Sequence, residues 1–348
     1  MNIQFQAYSL LAVTKRLVLA LFMISLTSLA INAETIDQRL EQAEVALKNQ
    51  QYELAKKLFS DLATQATVKN AARLGLAKLA FFENQLDSAE ELMEELLEQD
   101  SNKPEYFYWA ARIAGKQSLS ASIFTKLGYA KDTKKYFDQA IKIDNQHKPS
   151  IIGLIGFHQQ APVIAGGDKE AIPVLLEQLK AIDKRAAFMI QAPRLFNQKE
   201  TEQVLNLYQE ALLSDQNSDV ELGEFKFNFA MLLANQRMYL EGLNELLSIN
   251  LDDYKVLPQY GPMRLYQIGK LAAESRSNLQ QGLESMKQYQ SIPAESRTIS
   301  EDWVNFRLAQ LNYLQKPSPD QRKSLEKIKR ETKDHDLKTK INSILKDH

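Results

Sequence analysis

The chain has 348 residues, a formal net charge of −1 and no cysteine. The missing thiols exclude disulfides, thiol catalysis, thiolate metal sites and a lipid-modified cysteine anchor. The near balance of 43 basic against 44 acidic residues lacks the basic excess expected of a nucleic-acid binder.

Residues 1–33 read as an export signal. Lys15 and Arg16 precede an uncharged run from Leu17 to Ile31, and the small residue Ala33 follows. A basic region, an apolar core and a small-residue cleavage site form the secretory pattern. The run is shorter than the roughly 20 residues of a spanning helix, so cleavage after Ala33, or else Ala30, is expected, with an uncleaved anchor as the alternative. The mature chain would then be periplasmic in a two-membraned cell and secreted in a single-membraned one. No later apolar run is long enough to cross a bilayer.

Glycine and proline are scarce, at 12 and 10, and strand-like alternation is absent, so the remainder reads as helix. Residues 34–144 hold three helical pairs: Ile36 to Lys48 with Tyr52 to Gln65, Asn70 to Phe82 with Ser88 to Glu98, and Tyr106 to Ser118 with Lys131 to Ile143. Ala55 and Ala89 lie 34 residues apart, as do Phe59 and Met93, and a polar turn precedes each alanine. From Met93 to Phe137 the spacing stretches to 44, which places about ten extra residues, with Ser118, Ser120, Ser122 and Gly128, between the helices of the third pair. Residues 145–257 hold three less regular pairs: Pro149 to Gln159 with Lys169 to Ile182, Lys184 to Phe196 with Thr201 to Leu213, and Glu221 to Asn235 with Tyr239 to Ile249. The least regular stretch is Leu251 to Pro262. Residues 258–348 hold Arg264 to Ser275 with Leu279 to Gln290, then Glu301 to Leu314 with Asp320 to Glu331. The first helix of that last pair carries Trp303, Phe306 and Leu308. A final amphipathic helix, Leu337 to Leu345, is placed to cover the open end of a stack.

A 34-residue period of paired helices resembles the tetratricopeptide repeat family. Leu76, Ala77, Ala80, Ala89 and Leu96 occupy the family's packing positions in the second pair, and Phe137 and Ala140 do so in the third. The match weakens between about Lys184 and Leu257. The family's terminal proline is replaced by Ser101 in the second pair and Asn145 in the third. The resemblance implies an all-α, right-handed α-α superhelix of about eight hairpins with a C-terminal capping helix. It also implies a concave surface, lined by the first helices, that binds a protein segment or extended peptide.

Three segments invite a chemical reading. In Tyr106-Phe107-Tyr108-Trp109, consecutive residues are turned about 100 degrees apart, so the four rings cannot share one face. Phe107 aligns with Ala110, Ala111 and Ala114 as the packed face, and Tyr108 aligns with Arg112. Tyr108, Arg112, Trp109 and Lys78 are the candidate partner contacts, because aromatic and Arg side chains dominate binding hot spots. The alternative is that the adjoining inserted segment covers Tyr108 and Arg112. Ala161 to Asp168 combines a double glycine with a following helix, which could hold an anion. The stronger reading has Asp168 capping that helix and Gly166 and Gly167 making the turn. The acidic run Glu90, Glu91, Glu94, Glu95, Glu98 brackets a buried stripe and reads as a solvated face.

The four histidines, His147, His158, His335 and His348, form no zinc-enzyme spacing, and no Gly-x-Ser-x-Gly elbow is present. The sequence therefore nominates no catalytic residue, metal ligand or cofactor site. Charge is uneven: residues 34–100 hold 14 acids against 7 bases, and residues 320–348 hold 9 bases against 6 acids. The expected function is a non-catalytic interaction scaffold or adaptor in the cell envelope. The alternatives are a helical-toroid enzyme acting on cell-wall glycan and a self-associating structural protein.

Overall fold

A computed structural model describes residues 35–214, 221–250 and 260–346. The export-signal segment and most of the irregular stretch, 251–259, lie outside the described residues. Among the described residues there is no strand, and no helix is long and apolar enough to cross a membrane.

Among the described residues, seventeen α-helices follow one another. They are α1 (Ile36–Lys48), α2 (Tyr52–Leu62), α3 (Lys69–Phe82), α4 (Leu86–Gln99), α5 (Pro104–Ser120), α6 (Ile123–Ile143), α7 (Lys148–Gln160), α8 (Ala171–Ile182), α9 (Lys184–Asn197), α10 (Thr201–Leu212), α11 (Leu222–Asn235), α12 (Tyr239–Leu247), α13 (Tyr260–Ser275), α14 (Leu279–Ser291), α15 (Glu301–Gln315), α16 (Pro319–Glu331) and α17 (His335–Lys346). The chain divides into two compact units, Met1–Ile172 and Pro173–His348. In the N-terminal unit, packing runs between successive helices from α1 to α7 and from first helix to first helix; in the C-terminal unit, the main contacts are within the pairs α9–α10, α11–α12, α13–α14 and α15–α16, from α12 to α13 and from α14 to α15. That nearest-neighbour pattern is the arrangement of an α-α solenoid.

The hairpins close by a recurring turn. Gln50, Asn84, Lys199 and Arg237 each sit at the centre of a three-residue connection with φ of 59, 63, 63 and 62°. In the first of these, the Gln51 amide donates to the Ala46 carbonyl and the Gln50 amide to the Leu47 carbonyl. This paired closure satisfies carbonyls that the helix end would leave open. The same two bonds recur at Asn84 and Gln85, at Lys199 and Glu200, and at Arg237 and Met238.

The core is built where one hairpin meets the next. Ala55, Phe59, Ala77, Ala89, Met93, Leu96, Phe137 and Ala140 are buried, as the 34-residue spacing requires, while Leu76 is half-buried. Phe59 of α2 lies against Gly75 of α3, where a Cβ would overlap its ring, and Phe137 of α6 lies in the same way against Gly153 of α7. In the C-terminal unit the weakly matching hairpins pack differently. Phe188, Tyr208, Phe225 and Phe229 form one aromatic cluster, and the Tyr208 hydroxyl donates to Glu245. Large rings share that cluster with the small residues Ala192 and Ala211. At the far end Leu337 and Ile341 of α17 cover Phe306, Tyr313 and Leu325, as expected of a cap.

The stretched third pair departs from expectation. Only Ala121 and Ser122 separate its helices, so the ten additional residues lengthen α5 to 17 residues and α6 to 21. Among the described residues the inserted segment is helix and no loop lies over Tyr108 and Arg112, which are both half-buried. The irregular residues Gly261 and Pro262 also belong to a helix, the first turn of α13, where proline's missing amide costs nothing.

Candidate functional site

The four candidate contacts come together in the N-terminal unit, around the Trp109 indole. Trp109 is itself buried and donates from Nε1 to Glu105 Oε1 at 2.7 Å. The Lys78 Nζ lies 5.6 Å from the indole centroid, and the Arg112 guanidinium lies 4.3 Å from it and 4.7 Å from the Phe81 ring. Such cation–ring approaches hold a positive charge over a negative ring face. The Tyr108 ring meets Trp109 edge-on at 5.6 Å and His147 at 5.9 Å.

The first helices also share a polar ladder. Lys78 Nζ lies 3.6 Å from Glu44 Oε1 and 3.8 Å from Glu105 Oε1, and His147 Nε2 lies 3.5 Å from Glu105 Oε2. Glu44, Lys78 and Arg112 recur at 34-residue intervals, and Gly156 stands 44 residues beyond Arg112, which matches the lengthened hairpin. One equivalent position on α1, α3, α5 and α7 therefore carries acid, base, base and then no side chain. Burial alone would raise the Glu105 carboxyl, but hydrogen bonds from His147 and Trp109 and the charge of Lys78 outweigh it and hold the carboxyl below its ordinary value.

Two grooves open beside this ladder. One, about 490 Å³, is lined by Glu44, Lys48, Tyr52, Lys78, Phe82 and Trp109. The other, about 560 Å³, lies between α5, α6 and α7. Its floor is small, with Ala111, Gly115, Gly153 and Gly156; Phe137 and Phe157 add apolar surface; Arg112, Ser118, Lys126 and Gln160 add polar groups. A volume in this range suits a specific ligand contact. Of these small residues only Gly156 leaves open space where a side chain would stand, since the Phe137 ring fills the Gly153 side and Thr133 lies beside Gly115.

Two readings of the residues are corrected. Phe107 is half-buried against Tyr136, while Tyr106 and Trp109 are the buried rings of the aromatic quartet. Ala110, Ala111 and Ala114 are buried as expected, and Tyr106, Trp109 and Ile113 take the place of Phe107 where α3 and α4 approach. Asp168 does not directly cap α8, which starts at Ala171; its carboxylate accepts from the Glu170 amide at 3.0 Å in the preceding turn. The loop is held from behind, where the Asp168 amide donates to His158 Nδ1 at 3.0 Å. Gly166 has φ of 94°, and a Cβ at Gly167 would overlap the Ala161 carbonyl, so both turn positions require glycine. The acidic side chains Glu91, Glu94 and Glu98 of α4 are exposed.

Sequence reasoning missed Glu44, Glu105 and His147. The 34-residue recurrence of Glu44, Lys78 and Arg112 could have found the first, but the His147 contact depends on the length of the third hairpin. Among the described residues no group of three His, Asp or Glu side chains is placed to hold a metal ion.

No curated protein matches the chain. Among solved structures, the crystal structure of the APC/C hetero-tetramer Cut9-Hcn1 is similar, with 8% identity and a TM-score of 0.44. The alignment covers 90% of this chain and 55% of that one, so the chain spans about half its length. Residues 39–113, which run from α1 into α5 and contain Lys78, Tyr108, Trp109 and Arg112, match the tetratricopeptide repeat family.

Proposed function

We propose that the protein is a non-catalytic interaction scaffold of the cell envelope, exported through residues 1–33, that binds a protein segment along the first helices of its N-terminal unit. The observation that carries this reading is the pairing of Arg112 with the small-floored groove. The guanidinium is held over Trp109 and Phe81 at the edge of a channel bottomed by Ala111, Gly115, Gly153 and Gly156. A ligand can approach the backbone at the open Gly156, and a preorganised cation at the channel's edge loses little entropy on binding. Helical-hairpin stacks use extended surfaces of this kind for recognition. The export reading rests on Lys15, Arg16, the uncharged run from Leu17 to Ile31, and Ala33.

The test places a photo-crosslinking residue at Ser118, on the groove, and at Ser88, an exposed position on α4. It is run in the native compartment. The expected result is a discrete crosslinked protein from Ser118 and none from Ser88, lost when Arg112→Glu is added to a chain that retains its helical signal. Equal capture with and without Arg112→Glu would overturn the groove reading.

A further inference from the structure

One end of the N-terminal unit carries exposed apolar side chains that reach beyond the groove's own lining. The sequence from Gln117 to Thr125 carries no charge, and neither does that from Ala161 to Gly167. The first is the tip of the α5–α6 hairpin, and the second is the loop after α7. Both hold bare apolar side chains: Phe124 is 94% exposed, Val163 86%, Leu119 76% and Ile164 73%. The two segments are neighbours, since Leu119 and Lys126 line the same groove as Ala161 and Pro162. The loop is firmly held by His158 and by its two obligatory glycines, so Val163 and Ile164 are exposed by construction. α5 and α6 exceed the helices of the preceding hairpin by three and seven residues, about 4.5 and 10 Å of extra helix at 1.5 Å per residue.

Lysines ring this apolar end. Lys126, Lys131 and Lys135 are exposed, and Val163 and Ile164 share a recess with Lys131, Lys134 and Lys135. Lys134 is paired with Asp138 at 2.6 Å. From Arg112 to Lys142 seven bases stand against two acids, the opposite of the acidic balance over residues 34–100.

We propose that this end docks on an anionic lipid bilayer. Leu119, Phe124, Val163 and Ile164 enter the headgroup boundary, and Lys126, Lys131 and Lys135 meet lipid phosphates. Shallow insertion of apolar side chains with basic residues around them is how peripheral proteins hold such a surface. An uncharged tip fits a yielding, anionic plane, and four large apolar side chains more than 70% exposed on neighbouring segments are unusual on a surface left in water. The proposal does not depend on what the groove binds.

The test uses the full chain. Because residues 17–31 are themselves apolar, the readout is local. The chain has no cysteine, so Ser120→Cys at the tip, or Ser88→Cys on α4, carries a single environment-sensitive fluorophore. Vesicles of phosphatidylcholine are compared with vesicles that also contain phosphatidylglycerol. The expected result is a blue shift at position 120 with the anionic vesicles alone and none at position 88. Leu119→Ser with Phe124→Ser should abolish the shift. Neutralising Lys126, Lys131 and Lys135 to Gln should weaken vesicle affinity about tenfold or more. A probe at 120 that ignores anionic vesicles, or that shifts equally in the Leu119→Ser/Phe124→Ser variant, would overturn the proposal. So would a tip that captures a soluble protein while ignoring both vesicle types.

Discussion

Lys199 shows what one residue contributes to this architecture. It holds a φ of 63°, a left-handed geometry that is strained for an L side chain by roughly 1–2 kcal/mol, because Cβ approaches the following carbonyl. Glycine removes that strain but brings more unfolded-state freedom, worth about 0.5–1 kcal/mol. Lys199→Gly is therefore expected to stabilise the chain by about 0.5–1 kcal/mol, read as a higher urea midpoint with an unchanged slope. Gly75 makes the opposite case. Its empty side is filled by the Phe59 ring, so Gly75→Ala forces the two hairpins apart and should cost about 1–3 kcal/mol, measured by the same titration. The closing polar turns were legible as Asn49 to Gln51 and Glu83 to Gln85. Their left-handed geometry was not, since Gln, Asn, Lys and Arg occupy positions that usually call for glycine.

At the scale of elements, the C-terminal unit is tied together by a buried charge. Arg307 of α15 is 2% exposed, donates to Glu274 of α13 at 2.7 Å, and also donates to Gln310 at 2.7 Å. Lys340 of α17 reaches the same Glu274 oxygen at 2.7 Å, so one carboxylate joins three helices. Burial alone would raise the Glu274 carboxyl, but Arg307 and Lys340 outweigh that and hold it below its ordinary value. Burial in turn pushes the nearby Lys270 ammonium down. Removing one partner of a buried pair leaves the other uncompensated. Glu274→Gln is expected to lower stability by about 3 kcal/mol in chemical denaturation. The pH dependence follows from the depressed carboxyl. Its contribution is complete above the ordinary value of 4.5 and is lost as pH falls through the folded-state value below it. Thermal melts should therefore show the wild type losing stability as pH falls below 4.5, and Glu274→Gln should flatten that limb. Glu274, Arg307 and Lys340 recur at 33-residue steps on α13, α15 and α17, but the recurrence alone does not say that the three side chains turn toward one another.

On the scale of the molecule, the chain forms two compact units, each with its own buried residues. Where each hairpin contacts only its neighbours, damage should spread from the site of injury along the stack. Leu337 of the terminal helix is fully buried against Phe306 and Leu325. Leu337→Ala should cost about 2–5 kcal/mol locally. Hydrogen exchange should then accelerate first in α15, α16 and α17 and leave α1 to α5 unchanged. Uniform acceleration throughout the chain would show a single cooperative block instead.

The order and pairing of the helices were written in the sequence. Apolar spacing, the 34-residue recurrence of Ala55 with Ala89, and the scarcity of glycine and proline are local properties, and a hairpin stack is built from local contacts. Even the aromatic hairpins around Tyr208 kept their apolar periodicity where the family motif had faded. What needed tertiary structure was anything set by how one hairpin sits on the next. The ten extra residues became longer helices because no proline interrupts residues 105–148 and isolated glycines such as Gly115 and Gly128 are tolerated within a helix. That choice left Arg112 open to a groove, turned Phe107 partly outward and brought His147 to Glu105. Side-chain meetings across hairpins depend on crossing geometry and turn length, which the periodicity of a single helix does not encode.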